Sequence, residues 1–146
     1  MTISQTAEYA LRAVVWLASH PAAAQGTPEI ARATRVPAGY LSKVLQALSR
    51  AGLVASTPGR NGGFRLTRSP SALSVLDVIN AVDPIARIRQ CPLKLEAHQG
   101  ELCALHRRLD RAIGLMEQAF AESTIAELLP STAASPLCDE QTRHDG

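Results

Sequence analysis

Residues 27–66 read TPEIARATRVPAGYLSKVLQALSRAGLVASTPGRNGGFRL, and the fold turns on this stretch. Thr27 offers an N-cap hydroxyl, Pro28 suits the first helical position and Glu29 places an acid in the first turn, so a short helix runs from Pro28 to about Ala33. Thr34-Arg35-Val36 forms a turn. Pro37 then opens a second helix, with Leu41, Val44, Leu45 and Leu48 on one face and Gly52 as its stop. Two short helices joined by so brief a turn make a helix-turn-helix. Beyond Gly52 the period changes. Leu53-Val54-Ala55-Ser56 and Phe64-Arg65-Leu66-Thr67 are strand-like runs on either side of Thr57-Pro58-Gly59-Arg60-Asn61-Gly62-Gly63, a hairpin with a glycine-rich tip.

Upstream, Ala7, Ala10, Leu11, Val14, Val15, Leu17 and Ala18 recur at helical spacing between Ser4, a plausible N-cap, and Ser19. Downstream, a short helix runs from about Ser74 to Val82, capped by Ser71 or Ser74 and ended by Asp83-Pro84. Residues 85–102 carry no period. From Cys103 to Leu129 helical spacing returns with Leu105, Leu109, Ile113, Met116, Phe120 and Ile125, interrupted by Glu122-Ser123-Thr124, which are suited to capping a further short helix. The polar stretch from Pro130 reads as a tail that need not fold. The division expected is a DNA-binding domain over 1–84, a sensor loop over 85–102, a dimerisation helix over 103–129 and a flexible tail over 130–146.

Composition agrees with a mainly α chain of one domain. There are 146 residues, 46% hydrophobic and 19% charged, and only 3% are aromatic, so Ala, Leu, Val and Ile must build the core. No apolar run approaches the roughly 18 residues of a membrane helix. The apolar stretch Ala10 to Ala18 lacks a basic n-region and is preceded by Glu8 and interrupted by Arg12, so no signal peptide is expected and the cysteines belong to a reducing cytoplasm.

The net charge of +2 conceals an asymmetry. Through Pro70 there are eight basic residues against Glu8 and Glu29, a net +6; the remaining seven basic and eleven acidic residues give −4. A basic first half suits a polyanion, although solvated faces also carry such charges. The helix-turn-helix gives the charge a use, because Tyr40, Ser42, Lys43 and Gln46 lie outside the apolar face, open to bases and phosphates. At the hairpin tip Arg60, beside Asn61, suits a narrow minor groove. Arg50 and Arg65 are candidate phosphate contacts.

Three stretches resemble one family: Tyr9-Ala10-Leu11-Arg12-Ala13, the run from Tyr40 to Leu53, and Gly59-Arg60-Asn61-Gly62-Gly63-Phe64-Arg65-Leu66. Together they are similar to the Rrf-two family of bacterial transcriptional regulators, which includes an iron–sulfur cluster regulator and a nitric-oxide-sensitive repressor. The likeness extends from Met1 to about Leu129. It implies a winged helix-turn-helix, a long C-terminal helix that pairs in a homodimer, and binding to a partly palindromic double-stranded DNA operator. The stripe from Leu105 to Phe120 independently suits a dimer helix, or else packing on its own domain.

Cys91 opens the irregular segment, Cys103 closes it, and His106 follows one turn later on the same face. Two thiols and an imidazole suit a soft metal or an iron–sulfur cluster; equally, Cys103 suits a small core position and His106 a solvated one. The resemblance implies more. Sensing members of the family carry three cysteines here, and some add a His in the next helix or an acid from the partner's first helix. Cys91 and Cys103 match the first and third cysteine positions, His106 the histidine and Glu8 the acid, while Ala97 stands at the middle position and cannot ligate. That set implies a [2Fe–2S] cluster held by Cys91, Cys103, His106 and Glu8 of the partner subunit, with His98 a lesser substitute and Cys138 outside the match. The function implied is a repressor controlled by a redox- or nitric-oxide-responsive cluster. A cluster-free regulator of the same fold, answering to thiol oxidation, zinc or an organic effector, is the alternative. No nucleophile–base pair, phosphate loop or catalytic carboxylate pair is present, so no enzyme is expected.

Overall fold

The computed structural model describes residues 3–94 and 100–130; Ala97, His98, Cys138 and the tail expected over 130–146, save Pro130, lie outside them. Helix α1 spans Gln5–Ser19, with the Ser4 hydroxyl accepting from the Ala7 N–H at 3.1 Å. Helix α2 spans Thr27–Thr34 and α3 spans Ala38–Arg50. The cap of α2 is Gly26 rather than Thr27: the chain turns helical one residue earlier, and the Gly26 N–H donates to the Glu29 carboxylate at 3.4 Å. Pro37 likewise caps α3 instead of beginning it.

Strands β1 (Val54–Thr57) and β2 (Gly63–Leu66) pair antiparallel, with Val54 opposite Leu66 and Thr57 opposite Gly63. The wing has a third edge, because Gln25 and Phe64 exchange both backbone hydrogen bonds, at 3.0 and 2.8 Å. Gly63 permits this approach: its φ is +141°, and a Cβ there would overlap the Gln25 carbonyl. Helix α4 spans Val75–Val82 and is capped by Ser74, not Ser71, through a reciprocal pair in which the Asp77 N–H donates to the Ser74 hydroxyl and the Ser74 N–H to the Asp77 carboxylate, both at 3.0 Å.

One core unites these elements. Val14 from α1, Ile30 from α2, Leu41, Val44, Leu45 and Leu48 from α3 and Val78 and Ile79 from α4 are all fully buried. Leu45→Ala is expected to lower the unfolding free energy by about 2–5 kcal/mol, since a packed core closes only partly over the void; chemical denaturation measures it, and a loss below 1 kcal/mol would place Leu45 outside the cooperative core.

Helix α5 spans Ala104–Glu122 and is amphipathic yet buries no residue fully. It stops at Glu122, short of the expected 129, because Ser123 turns extended and its carbonyl accepts from the Val75 N–H at 2.8 Å. Ile125 then donates its N–H to the Leu73 carbonyl at 2.8 Å and buries its side chain completely. The Thr124 hydroxyl accepts from the Glu127 N–H at 3.3 Å beside the 3₁₀ turn Ala126–Leu128. The C-terminal end of α5 is thus stitched to the start of α4. Along the helix, Ile113 and Met116 border an apolar cleft of about 280 Å³ with Ile3, Ala7, Ile79 and Ile85. Leu105, Leu109 and Leu115 remain 62%, 47% and 60% exposed, apolar surface on α5 that the fold leaves uncovered. Among the described residues, no helix is long and apolar enough to cross a membrane.

Candidate functional site: a DNA-facing helix and a thiol–imidazole cluster

The buried stripe of α3 turns Tyr40, Ser42, Lys43, Gln46 and Arg50 outward, and all five are exposed. Two are already engaged. The Tyr40 hydroxyl shares a hydrogen bond with the Thr6 hydroxyl, and its ring meets Tyr9 edge-on at 5.3 Å. Tyr40 therefore ties the front of α3 to α1. Ser42 donates to the Ala38 carbonyl at 3.2 Å. Lys43, Gln46 and Arg50 extend the same face, and Arg60 and Asn61 stand exposed at the wing tip. Arg65 donates to the Ala22 carbonyl at 3.2 Å, bracing the wing against the α1–α2 loop. Arg12 also works inside the protein: it pairs with Glu8 at 2.8 Å and donates to the Thr34 carbonyl at 3.1 Å, where the last carbonyls of α2 lack helical partners.

The second site gathers at the start of α5. Cys103 is the N-cap residue, and His106, one turn on, reaches back so that its Nδ1 lies 3.0 Å from the Cys103 Sγ. The irregular segment before α5 brings in Cys91, which is buried, with its Sγ 3.8 Å from the same nitrogen. One donor atom from each of Cys91, Cys103 and His106 lies within 4.8 Å of the others. The His106 backbone amide, then its ring, favours the thiolate and draws the Cys103 thiol from its ordinary 9.0 down to about 7. At neutral pH a large share of this sulfur is therefore the anion that binds soft metals and attacks oxidants. The donor set fits a thiolate-ligated metal or cluster, and three protein ligands leave one position to be filled from elsewhere. Glu8 sits on α1, paired with its own Arg12 and outside this group of three.

A clamp that the sequence reading does not include holds the Cys91 segment to α5. Arg87 donates to both Asp110 carboxylate oxygens at 2.8 Å and to Glu117 at 3.4 Å, and the Ile88 N–H donates to Asp110 at 2.9 Å. The guanidinium holds Asp110 down to about 2, and the two carboxylates raise Arg87 in return. Gly114 makes room, because a Cβ there would meet the guanidinium at 2.9–3.0 Å. The signal lay in the helix itself: a glycine inside an amphipathic run, with acids four residues before and three after on one face.

A family described as Rrf2, iron-dependent transcriptional regulator, matches residues 3–131. A Mycobacterium tuberculosis (strain H37Rv) protein named as an HTH-type transcriptional regulator is 34% identical over 157 residues, 99% of this chain and 96% of that protein. Protein aau3 of Rhizobium meliloti (strain 1021) is 31% identical over 131 residues, 88% of this chain and 85% of its own. Among solved structures, CymR, the global cysteine regulator of B. subtilis, shares the fold with a TM-score of 0.72 at 23% identity, over 88% of this chain and 95% of that chain. T. potens IscR does so with a TM-score of 0.72 at 22% identity, over 88% and 85%. With a helix-turn-helix followed by a braced wing, and with a family match over nearly all the described residues, the chain belongs to the Rrf2 family of winged-helix, DNA-binding transcriptional regulators and is not an enzyme.

Proposed function

We propose that this regulator is a cytoplasmic homodimeric repressor whose grip on its operator is set by an iron–sulfur cluster, [2Fe–2S] in type, at Cys91, Cys103 and His106. The observation that carries the reading is the convergence of the three donor atoms within 4.8 Å, from the irregular segment at Cys91 and the first turn of α5. The fourth ligand assigned is Glu8 of the partner subunit. Its ion pair with Arg12 is a partly buried i,i+4 pair on α1, and Arg12 keeps its bond to the Thr34 carbonyl when the carboxylate is released. The uncovered apolar surface of Leu105, Leu109 and Leu115 supports α5 as the dimer helix. When bound, the cluster supplies electron exchange and reactivity toward oxidants or nitric oxide. The chain's own residues do the coupling: Cys91 lies four residues beyond the Arg87 clamp, so the state of the ligands is felt along α5, whose far end is stitched to α4.

The test is the visible absorption, iron content and sulfide content of protein purified without oxygen; colourless, iron-free protein overturns the cluster. A second reading has one observation in its favour: a group this compact also suits a single tetrahedral ion such as zinc with an open fourth position. Metal without sulfide in the same preparation selects it.

For the DNA contacts, the proposal assigns Tyr40, Ser42, Lys43 and Gln46 to the major groove, Arg60 and Asn61 to the minor groove, and Arg50 with Arg65 to phosphates. Arg60→Ala is expected to weaken operator binding by about 1–3 kcal/mol, as for other base-contacting arginines, with the dimer intact by sedimentation. Gel shifts at fixed salt measure it, and unchanged affinity removes the wing from the reading.

A further inference from the structure

We propose that Cys91 and Cys103, when no metal is bound, are converted by hydrogen peroxide into an intramolecular disulfide, so that the ligand set is also a reversible modification site. This rests on the reading of the trio as the sensing site and adds to it a chemistry that needs no cluster.

Three observations carry it. The two sulfurs lie within 4.8 Å, and closing to the roughly 2.05 Å of a disulfide asks for side-chain rotation and a shift of one segment. Neither cysteine is inside a helix: Cys103 is the N-cap of α5, and Cys91 lies in the irregular stretch where the Lys94 N–H turns back to the Cys91 carbonyl at 3.1 Å. The bond can therefore form while the first hydrogen bond of α5, from the Arg107 N–H to the Cys103 carbonyl, is kept. Exposure also separates their roles. Cys103 is half-buried and reachable by a small oxidant, whereas Cys91 is 8% exposed and meets only what is already inside.

The chemistry balances in two steps. The Cys103 sulfur attacks one peroxide oxygen, the O–O bond breaks, and the other oxygen leaves with the thiol proton as water, giving a sulfenic acid. The Cys91 sulfur then attacks the Cys103 sulfur, the S–O bond breaks, and a second water leaves with the Cys91 proton, giving the disulfide. The peroxide gains two electrons and the dithiol loses two. Oxidation consumes two of the three donors, so His106 alone cannot retain a metal, and loading must wait for a thiol reductant.

The test uses the full chain carrying Cys138→Ser, stripped with a chelator, reduced and treated with hydrogen peroxide. Expected are the loss of both thiols, a mass lower by two hydrogens, a Cys91–Cys103 cross-linked peptide, and migration as an uncrosslinked subunit. Dithiothreitol restores the thiols, and with them the thiolate-to-metal absorption on adding cobalt(II), which the oxidised protein lacks. Cys91→Ser is expected to leave a sulfenic acid on Cys103 that dimedone traps. Thiols that persist, sulfinic or sulfonic products in place of the cross-link, or a disulfide between subunits each overturn the proposal. The outcomes separate it from the cluster: anaerobic protein rich in iron and sulfide whose stripped form resists peroxide removes only the disulfide, and colourless protein that forms the bond removes only the cluster.

Discussion

On the proposed cluster reading, Cys103→Ala is expected to strip iron, sulfide and visible colour from protein purified without oxygen, reducing a stoichiometric signal to background, and Cys91→Ala is expected to do the same. Either change leaves two donors in the subunit, of which His106 is one, and a single thiolate with an imidazole is a weak holder of iron. Unfolding does not account for the loss. The Cys103 sulfur meets α5 through the amide and ring of His106 in its first turn, and losing one capping contact weakens the start of the helix rather than the fold. Cys91, although buried, stands outside the main core cluster, and the core of α1, α3 and α4 does not depend on it. Circular dichroism should therefore match the parent protein while the iron and sulfide assays differ. Cys138→Ala is the control and keeps full colour. Wild-type iron in Cys103→Ala would remove that sulfur from the ligand set.

A second large effect follows from the clamp. Arg87→Ala and Gly114→Val are both expected to weaken metal retention by roughly 10–100-fold, the range typical of groups that orient ligands without touching the metal. The first deletes the guanidinium; the second fills the space it occupies against α5. Each frees the Cys91 segment from the helix that carries Cys103 and His106. The readouts are the chelator concentration that halves the visible band and the position of that band, which a change confined to stability would leave in place. Retention equal to the parent in both variants would separate the clamp from the site. The pH dependence has a definite sign. Asp110 is held at about 2 in the folded protein against an ordinary 3.8, so its contribution is complete above pH 3.8 and is lost as pH falls toward 2. At pH 5 the clamp is still closed, and metal released there is released by protonation of the ligands themselves.

Most of the fold was legible because its signals are local. Ser4 and Ser74 announce helix starts, the spacing of Leu41, Val44, Leu45 and Leu48 names the inner face of α3, and the glycines around Arg60 mark the wing. The break at Glu122-Ser123-Thr124 marks the end of α5, whereas the burial of Ile125 was not legible, since it comes from strand-like pairing at residues 73–75, a contact that depends on the assembled chain. The site divides in the same way. Cys103 and His106 share one helical turn and can be paired on sight, whereas placing Cys91 beside them needs the path of a segment without periodicity. Arg87, which sets that path, draws its meaning from Asp110 and Glu117 more than twenty residues away. Arg65 and Arg12 show the converse: basic residues in the positive half of the sequence that also bond within the protein, Arg65 to the Ala22 carbonyl and Arg12 to the Thr34 carbonyl and the Glu8 carboxylate.

The stitching of residues 123–125 to the start of α4 fixes only one end of α5. At 19 residues and 1.5 Å per residue the helix is a rod of about 28 Å, stitched to the DNA-reading body at one end and carrying Cys103 and His106 at the other. A tilt of about 5° about the stitched end displaces the other by roughly 2.5 Å, so in the proposed switch a rearrangement of that size among Cys91, Cys103 and His106 would correspond to a small rotation of the body. Lever arithmetic of this kind makes the distance between two such bodies, and with it the half-site spacing they can span, the quantity to follow as the state of the sulfurs changes.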